Sequence, residues 1–411
     1  MSDLSSTLPS PNSDISVLIP LLLSQLSDID TAVILTHLPR LYERLEHLRS
    51  AFNPSVRHCI AIKSNPQIHL LNIIVEQGFG LEAASMEEVE FALEAACPPE
   101  KIVFDSPVKT RQEIAKVSQL PNLLVNVNTL AELERFPRQT QCMIGIRINP
   151  LTHIGSPDLF SVSLNESKFG VPISERESII QAALDYPVRA LHMHSGSQMR
   201  DLKAQGRALK ALGELALDIN QALAHAGLDR RIECLDIGGG LPSESLSQQS
   251  KMKEYARLVH SLKVLESFTL VTEFGQWLNT ECALALSRVE YVIQGEPSKL
   301  FIHLGADMFT RDAYTQARAF PLSLWDAQGL ALDTHSLQAY DIAGPLCFAG
   351  DYVARHTRLP VAQEGHWLCI DHCGANTYAL WSRHCSRTVP AQWAWDGTQI
   401  QQWRSRQAVR F

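Results

Sequence analysis

The 411-residue chain is 45% apolar and 19% charged, the balance of a soluble globular protein longer than one ordinary domain. A net charge of −8, with basic residues scattered among acidic ones, argues against a nucleic-acid surface and for a small soluble substrate. The nine cysteines are odd in number and widely spaced, and no secretory leader precedes them, so free thiols and a cytoplasmic location are expected.

In chain order, the first dozen residues, rich in Ser, Pro and Asn, read as a disordered lead-in. The apolar run 17–26 is too short and too interrupted by Pro20, Ser24 and Gln25 to span a membrane, so an amphipathic helix is expected there. Residues 28–36 read as a strand belonging to a later domain. Then come eight short apolar runs, at 58–63, 79–84, 102–105, 123–128, 143–149, 190–195, 233–237 and 269–273. Helical patterns follow several of them, as at 86–96 and 204–225. Strands alternating with helices imply parallel pairing, and eight such units imply an α/β fold, a (β/α)₈ TIM barrel. Past residue 285 short strands without long helices (288–293, 300–304, 339–342, 367–370) indicate a mostly β domain. The expected division is 1–45 with the β domain, 46–285 as the barrel and 286–411 as the C-terminal β domain.

Polar residues collect where these runs end, on the rim where barrels place their chemistry. Lys63, in Ala61-Ile62-Lys63-Ser64-Asn65-Pro66, closes the first run. In a partly desolvated barrel mouth its pKa is expected to fall, giving a nucleophilic amine able to hold a carbonyl cofactor as a Schiff base. Gly238-Gly239-Gly240 after the seventh run can turn backbone N–H groups toward a phosphate. His194, in His194-Ser195-Gly196-Ser197, can stack on a planar ring, with His192 an alternative on the same face; Ser197 can reach a phosphate or anchor the loop. Glu273 ends the eighth run, and a carboxylate there can keep a pyridine nitrogen protonated. Taken singly, each has a commoner explanation: a strand-end cap, a turn, a satisfied core histidine. Their order along the chain is the specific signal.

That order resembles the fold-type III pyridoxal 5'-phosphate (PLP) decarboxylases, which act on diaminopimelate, ornithine and arginine. The resemblance runs from about Asp30 to the C-terminus and takes in Glu87-Glu88, Gly145-Ile146-Arg147-Ile148-Asn149-Pro150, Ser167-Lys168-Phe169-Gly170 and Gly344-Pro345-Leu346-Cys347-Phe348-Ala349-Gly350-Asp351. It implies a homodimer with shared sites, with Lys63 carrying PLP, His194 stacking on the ring and Glu273 pairing with the ring nitrogen. Gly238, Gly239, Gly240, Ser197 and Gly275 would hold the phosphate, and Glu82 would stand near the lysine. Cys347, from the neighbouring subunit, would protonate the product, a role suited to a thiol. Asp351 is a candidate for the substrate amine; Arg311 and Tyr314 resemble a substrate-facing segment in which an arginine meets a distal carboxylate.

Three positions depart from the family. Gln276 stands where an arginine usually follows the strand-eight glutamate, and Phe348 stands where diaminopimelate decarboxylases have a glutamate. Asn376 takes the place of the family tyrosine, with Tyr378 two residues on. The apolar Phe348 argues against meso-diaminopimelate, so the expected reaction is PLP-dependent decarboxylation of an amino acid or conjugate with a distal carboxylate, as in siderophore assembly. The alternatives are a meso-diaminopimelate decarboxylase of lysine biosynthesis, an amino-acid racemase on the same barrel, and a non-catalytic regulatory homologue. Glu273 favours a decarboxylase over a racemase, and the presence of Lys63 argues against an inert protein. His372-Cys373 and His384-Cys385 lack the paired-cysteine spacing of a structural zinc site, so no metal is expected.

Overall fold

The computed structural model describes residues 13–156, 161–245, 250–315 and 319–409; the lead-in read from the first dozen residues lies outside these. The chain divides into two units, Arg44–Leu278 and a second made of 1–43 with 279–411.

In the first unit eight strands run parallel: β1 (Arg57–Ala61), β2 (Gly80–Ala83), β3 (Ile102–Phe104), β4 (Leu124–Val127), β5 (Met143–Asn149), β6 (Val188–His192), β7 (Cys234–Asp236) and β8 (Thr269–Thr272). Each pairs with the next, and β8 pairs back with β1, so the sheet closes into a barrel. The strands are buried on both faces, which is why they read as near-continuous apolar runs rather than alternating ones. Cys59, Val103, Leu124, Met143, Ala190, Cys234 and Val271 form one apolar cluster inside the barrel. With that layer filled by small and branched side chains, polar groups inside the barrel are left to the C-terminal ends of the strands. Helix Met86–Glu94 starts on a reciprocal cap: Ser85 Oγ accepts from Glu88 N–H at 3.2 Å, and Glu88 Oε2 accepts from Ala84 N–H at 2.7 Å. The acidic pair in the family-like segment thus includes a structural cap.

In the second unit the strand Ala283–Ile293 is the hub, pairing antiparallel with Ala32–His37, Ser298–Ile302 and Trp367–Ile370. Ala32–His37 also pairs in parallel with Ala391–Trp395, so the first strand and one of the last lie side by side. Four strands escape the sequence reading: Leu322–Trp325, Tyr352–Pro360, Ala391–Trp395 and Ile400–Arg404. Tyr352–Pro360 is masked by its composition, since its Arg, His and Thr residues face outward on a half-exposed strand. The run at 17–26 is helical over Ser13–Leu23 and packs Leu18, Ile19 and Leu22 into an apolar core with Trp325, Trp367 and Trp393. Among the described residues no helix is long and apolar enough to cross a membrane.

Candidate active site

The C-terminal ends of the barrel strands gather eight ionisable side chains. Lys63 lies two residues beyond β1 on a single tight turn, Ile62–Ser64, rather than on the strand itself. Glu82 sits in β2, Asp105 just past β3, Arg147 in β5, His192 at the end of β6, Asp236 at the end of β7 and Glu273 just past β8. Arg147, His192 and Asp236 are register partners on three successive strands. His194 follows two residues after His192.

Lys63 Nζ donates to both oxygens of Glu82, at 2.8 and 2.7 Å, and Glu82 is fully buried while half of the lysine side chain remains accessible. The expected fall in the Lys63 pKa is overturned. Desolvation does press it down, but Glu82, Asp105 and Glu273 outweigh that and raise it above the usual lysine value. The carboxylates respond in kind. Glu82 is pushed up by desolvation and by Asp105. Desolvation presses up on Asp105 as well, but Lys63 and its hydrogen bond with Glu82 outweigh that and hold it below the usual carboxylate range. Asp236 is raised to about 6 by burial. Glu273 is raised well above the normal range by burial and by Asp236, Asp105 and Glu82.

The histidines divide their work by depth. His192 is wholly enclosed, whereas His194 presents about a fifth of its side chain, 19%, to the cavity. His194 Nδ1 accepts from Gly239 N–H at 3.2 Å, which places the ring proton on Nε2. Burial, then Arg147 and Lys63, lower its pKa to about 3, so the ring is neutral.

The three glycines are required by packing. A Cβ on Gly239 would lie 2.3 Å from the Glu273 carbonyl oxygen, and one on Gly240 would lie 2.2 Å from that of Gly196. Gly238 and Gly240 also adopt left-handed φ of 65° and 103°. Gly238 N–H donates to Asp236 Oδ1 at 3.0 Å, and Glu273 N–H donates to the Gly238 carbonyl at 2.9 Å, tying the glycine loop to the end of β8. A Cβ on Gly275 would meet Ala61 Cβ at 2.7 Å and Ser64 Oγ at 2.8 Å, so Gly275 seats the β8 end against the lysine turn. Gln276 is the second residue of the short helix Gly275–Asn279, and Ser197 lies half-buried beside Gly196.

These residues fit PLP. An amine stands where a carbonyl can reach it. A loop bare of side chains follows β7 and is hydrogen-bonded to the backbone of Glu273, whose Oε1 is buried without a hydrogen-bond partner among the described residues. Such an orphaned carboxylate oxygen suits a protonated ring nitrogen nearby.

The remaining expected site residues belong to the second unit. Cys347 is exposed. Phe348 beside it stacks on Tyr314 with ring centroids 5.0 Å apart, and Gly350 leaves the space that the Phe348 ring fills. Arg311 lies one turn earlier on the same short helix, Thr310–Thr315. Asp351 is corrected: rather than facing a substrate amine it is buried, with Oδ1 accepting from Ala306 N–H at 2.5 Å and Oδ2 from Leu346 N–H at 2.6 Å. It holds the loop that carries Cys347. Tyr378 accepts at its hydroxyl from Arg404 Nη1 at 2.7 Å, so its phenol is engaged within its own unit. Asn376 adopts a left-handed φ of 58°, a conformation asparagine tolerates better than tyrosine.

Asp105 and Asp236 escaped the sequence reading as site residues. Asp236 stands two residues before the glycine run and Asp105 closes the third apolar run, and periodicity along a single strand would have found neither as a site residue without the barrel register.

Comparison with known proteins agrees with this geometry. Residues 38–279 match the family model for the pyridoxal-binding domain of pyridoxal-dependent decarboxylases. The diaminopimelate decarboxylase of Pseudomonas aeruginosa is 30% identical over 364 residues, covering 86% of this chain and 84% of that protein. That of Vibrio cholerae is 29% identical over 384 residues, covering 89% and 88%. Among solved structures, diaminopimelate decarboxylase from Helicobacter pylori complexed with L-lysine superposes with a TM-score of 0.82 at 23% identity, covering 94% of this chain and 96% of that one. The Paramecium bursaria Chlorella virus arginine decarboxylase bound to agmatine gives 0.77 at 18% identity, covering 90% and 96%. Those two likenesses show the fold. With a lysine, a carboxylate and a bare glycine loop set for PLP, the chain belongs to the pyridoxal-dependent decarboxylases and is a carboxy-lyase acting on an amino acid.

Proposed function

We propose that the substrate is a diamino acid of the diaminopimelate type. The observation that carries this is the breadth of likeness: relatives bearing that name align across more than four-fifths of both chains. The sequence-based expectation of a siderophore conjugate has no such support. It keeps one specific observation in its favour, the Phe348–Tyr314 stack beside Cys347, an apolar ledge where a polar contact to the substrate is expected. It therefore stands as the second reading.

PLP, when bound, supplies the electron sink that takes up the bonding pair as CO₂ departs. This chain's residues prepare for it. Lys63 must give up a proton before its amine can attack a carbonyl, and Glu82 with Asp105 is the acceptor at hand. Glu273 would keep the ring nitrogen protonated, His194 would cover one face of the ring, and Gly238, Gly239, Gly240, Ser197, Gly275 and Gln276 would hold the phosphate. In a homodimer, Cys347 of the second subunit would supply the proton to the product carbon, and Arg311 with Tyr314 would meet the far end of the substrate.

The test is CO₂ release from a panel of meso-diaminopimelate, ornithine, arginine and carboxylated siderophore intermediates. Fast turnover of meso-diaminopimelate supports the main reading. CO₂ from the conjugates alone transfers the assignment to the second, and none from any member, with PLP bound, refutes both.

A further inference from the structure

The centre of the barrel holds a residue for which the reaction described so far has no use. His192 is completely buried, and neither of its ring nitrogens meets a hydrogen-bond partner among the described residues. Its Nε2 faces Glu273 Oε1, itself unpartnered, across 3.7 Å. Asp105 completes the cluster: one polar side-chain atom from each of Asp105, His192 and Glu273 falls within 4.8 Å of the others. A buried N–H and a buried carboxylate oxygen both left unpaired are costly, so a gap less than an ångström beyond bonding distance is one the side chains are driven to close.

The groups around Glu273 narrow the choice of donor. Lys63 is spent on Glu82, and Asn126 Nδ2 donates to Asp236 Oδ2 at 3.2 Å. His194 Nδ1 is an acceptor for Gly239. Arg147 lies over the Phe169 ring at 4.4 Å and approaches Asp105 at 3.9 Å. Asp236 shares a hydrogen bond with Glu273, but it becomes a negative neighbour once it ionises. Of these groups the His192 ring is left with both nitrogens unpartnered and with Nε2 nearest Oε1, and in its Nε2–H tautomer it is a neutral donor there.

We propose that His192 is a positioning residue for Glu273, its Nε2–H closing on Oε1 to hold the carboxylate ionised and oriented toward the ring nitrogen of PLP. The inference rests on the reading of Glu273 as the partner of that nitrogen. A protonated Glu273 could not keep a pyridine protonated, and its surroundings favour protonation: burial, Asp236, Asp105 and Glu82 all push its pKa up, against Lys63. A donor at Oε1 counters that push. His192 itself stays neutral, because burial, Arg147, His194 and Lys63 lower its pKa more than Asp105 raises it.

The experiment titrates cofactor-free protein with PLP between about pH 6 and 9, following affinity and the Lys63-dependent absorbance band, for wild type, His192→Phe and His192→Gln. Phenylalanine keeps the ring shape without the donor; glutamine returns an N–H near the position of Nε2. The Phe variant should still form the band but bind PLP about tenfold more weakly near neutral pH, with its affinity profile displaced about one unit toward alkaline pH. Its kcat should fall while KM holds, and Gln should restore most of the loss. A Phe variant matching wild type in affinity and profile overturns this inference alone. A uniform loss of thermal stability with no pH displacement and no rescue by Gln also overturns it, since that is what a space-filling role would give. Wild-type protein that takes up no PLP overturns the reading of Glu273 along with it.

Discussion

Lys63 Nζ meets both oxygens of Glu82, at 2.8 and 2.7 Å, so without cofactor the amine is held as an ammonium against a buried carboxylate. The nucleophile is therefore stored in its unreactive form, and the carboxylate that stores it is also the nearest acceptor for its proton. Removing that acceptor's charge lowers the lysine pKa. The rate at which PLP attaches, followed by stopped-flow absorbance, should shift to lower pH by at least about one unit in Glu82→Gln. Lys63→Ala should abolish the band and CO₂ release together. An unmoved profile in Glu82→Gln would free Lys63 from Glu82's control.

Asp236 gives a pH dependence with a definite sign. Its folded pKa, about 6, lies above its unfolded value, so the native state binds the extra proton. The resulting stabilisation is full below the unfolded pKa near 4 and is lost as pH rises through 6. Relative to wild type, cofactor-free Asp236→Asn should gain on the order of 2–3 kcal/mol between pH 4 and 7, measured by urea unfolding. Parallel stability curves for the two proteins would contradict this.

Gly239 has no room for a methyl group, since its Cβ would fall 2.3 Å from the Glu273 carbonyl. Gly239→Ala should cost roughly 1–3 kcal/mol of stability and weaken PLP binding more than Gly78→Ala, where the added atom meets open space but the φ of 88° imposes its own strain. Calorimetry and PLP titration of the two variants separate crowding at the loop from backbone strain.

Cys347 is exposed, so its replacement should leave thermal stability within about 0.5 kcal/mol of wild type. Cys347→Ala should nonetheless lose most of its CO₂ release. If sites are shared between subunits, mixing it with the equally inactive Lys63→Ala should restore part of the activity. No recovery, with mixed dimers demonstrated by mass, would refute a shared site.

The sequence by itself determined the barrel. Doubly buried parallel strands must be apolar along their whole length, so eight runs stood out and Lys63, His194, the glycines and Glu273 marked their ends. The spacing of the glycines also announced a loop needing close backbone approach, which the contacts of Gly239 and Gly240 explain. It could not see which charges face one another. Lys63 looked like a lysine with a lowered pKa because desolvation can be guessed from an apolar strand, whereas Glu82, Asp105 and Glu273 come from three other strands and reverse the shift. His192 read as a spare histidine because its partners lie 81 residues downstream at Glu273 and 87 upstream at Asp105. Asp351 read as a substrate contact because the two backbone N–H groups that occupy it belong to loops separated in sequence. Local pattern fixes which residues reach the rim; only closure of the barrel, which sets strand against strand in register, decides the electrostatic partners and hence the protonation state each residue brings to the reaction.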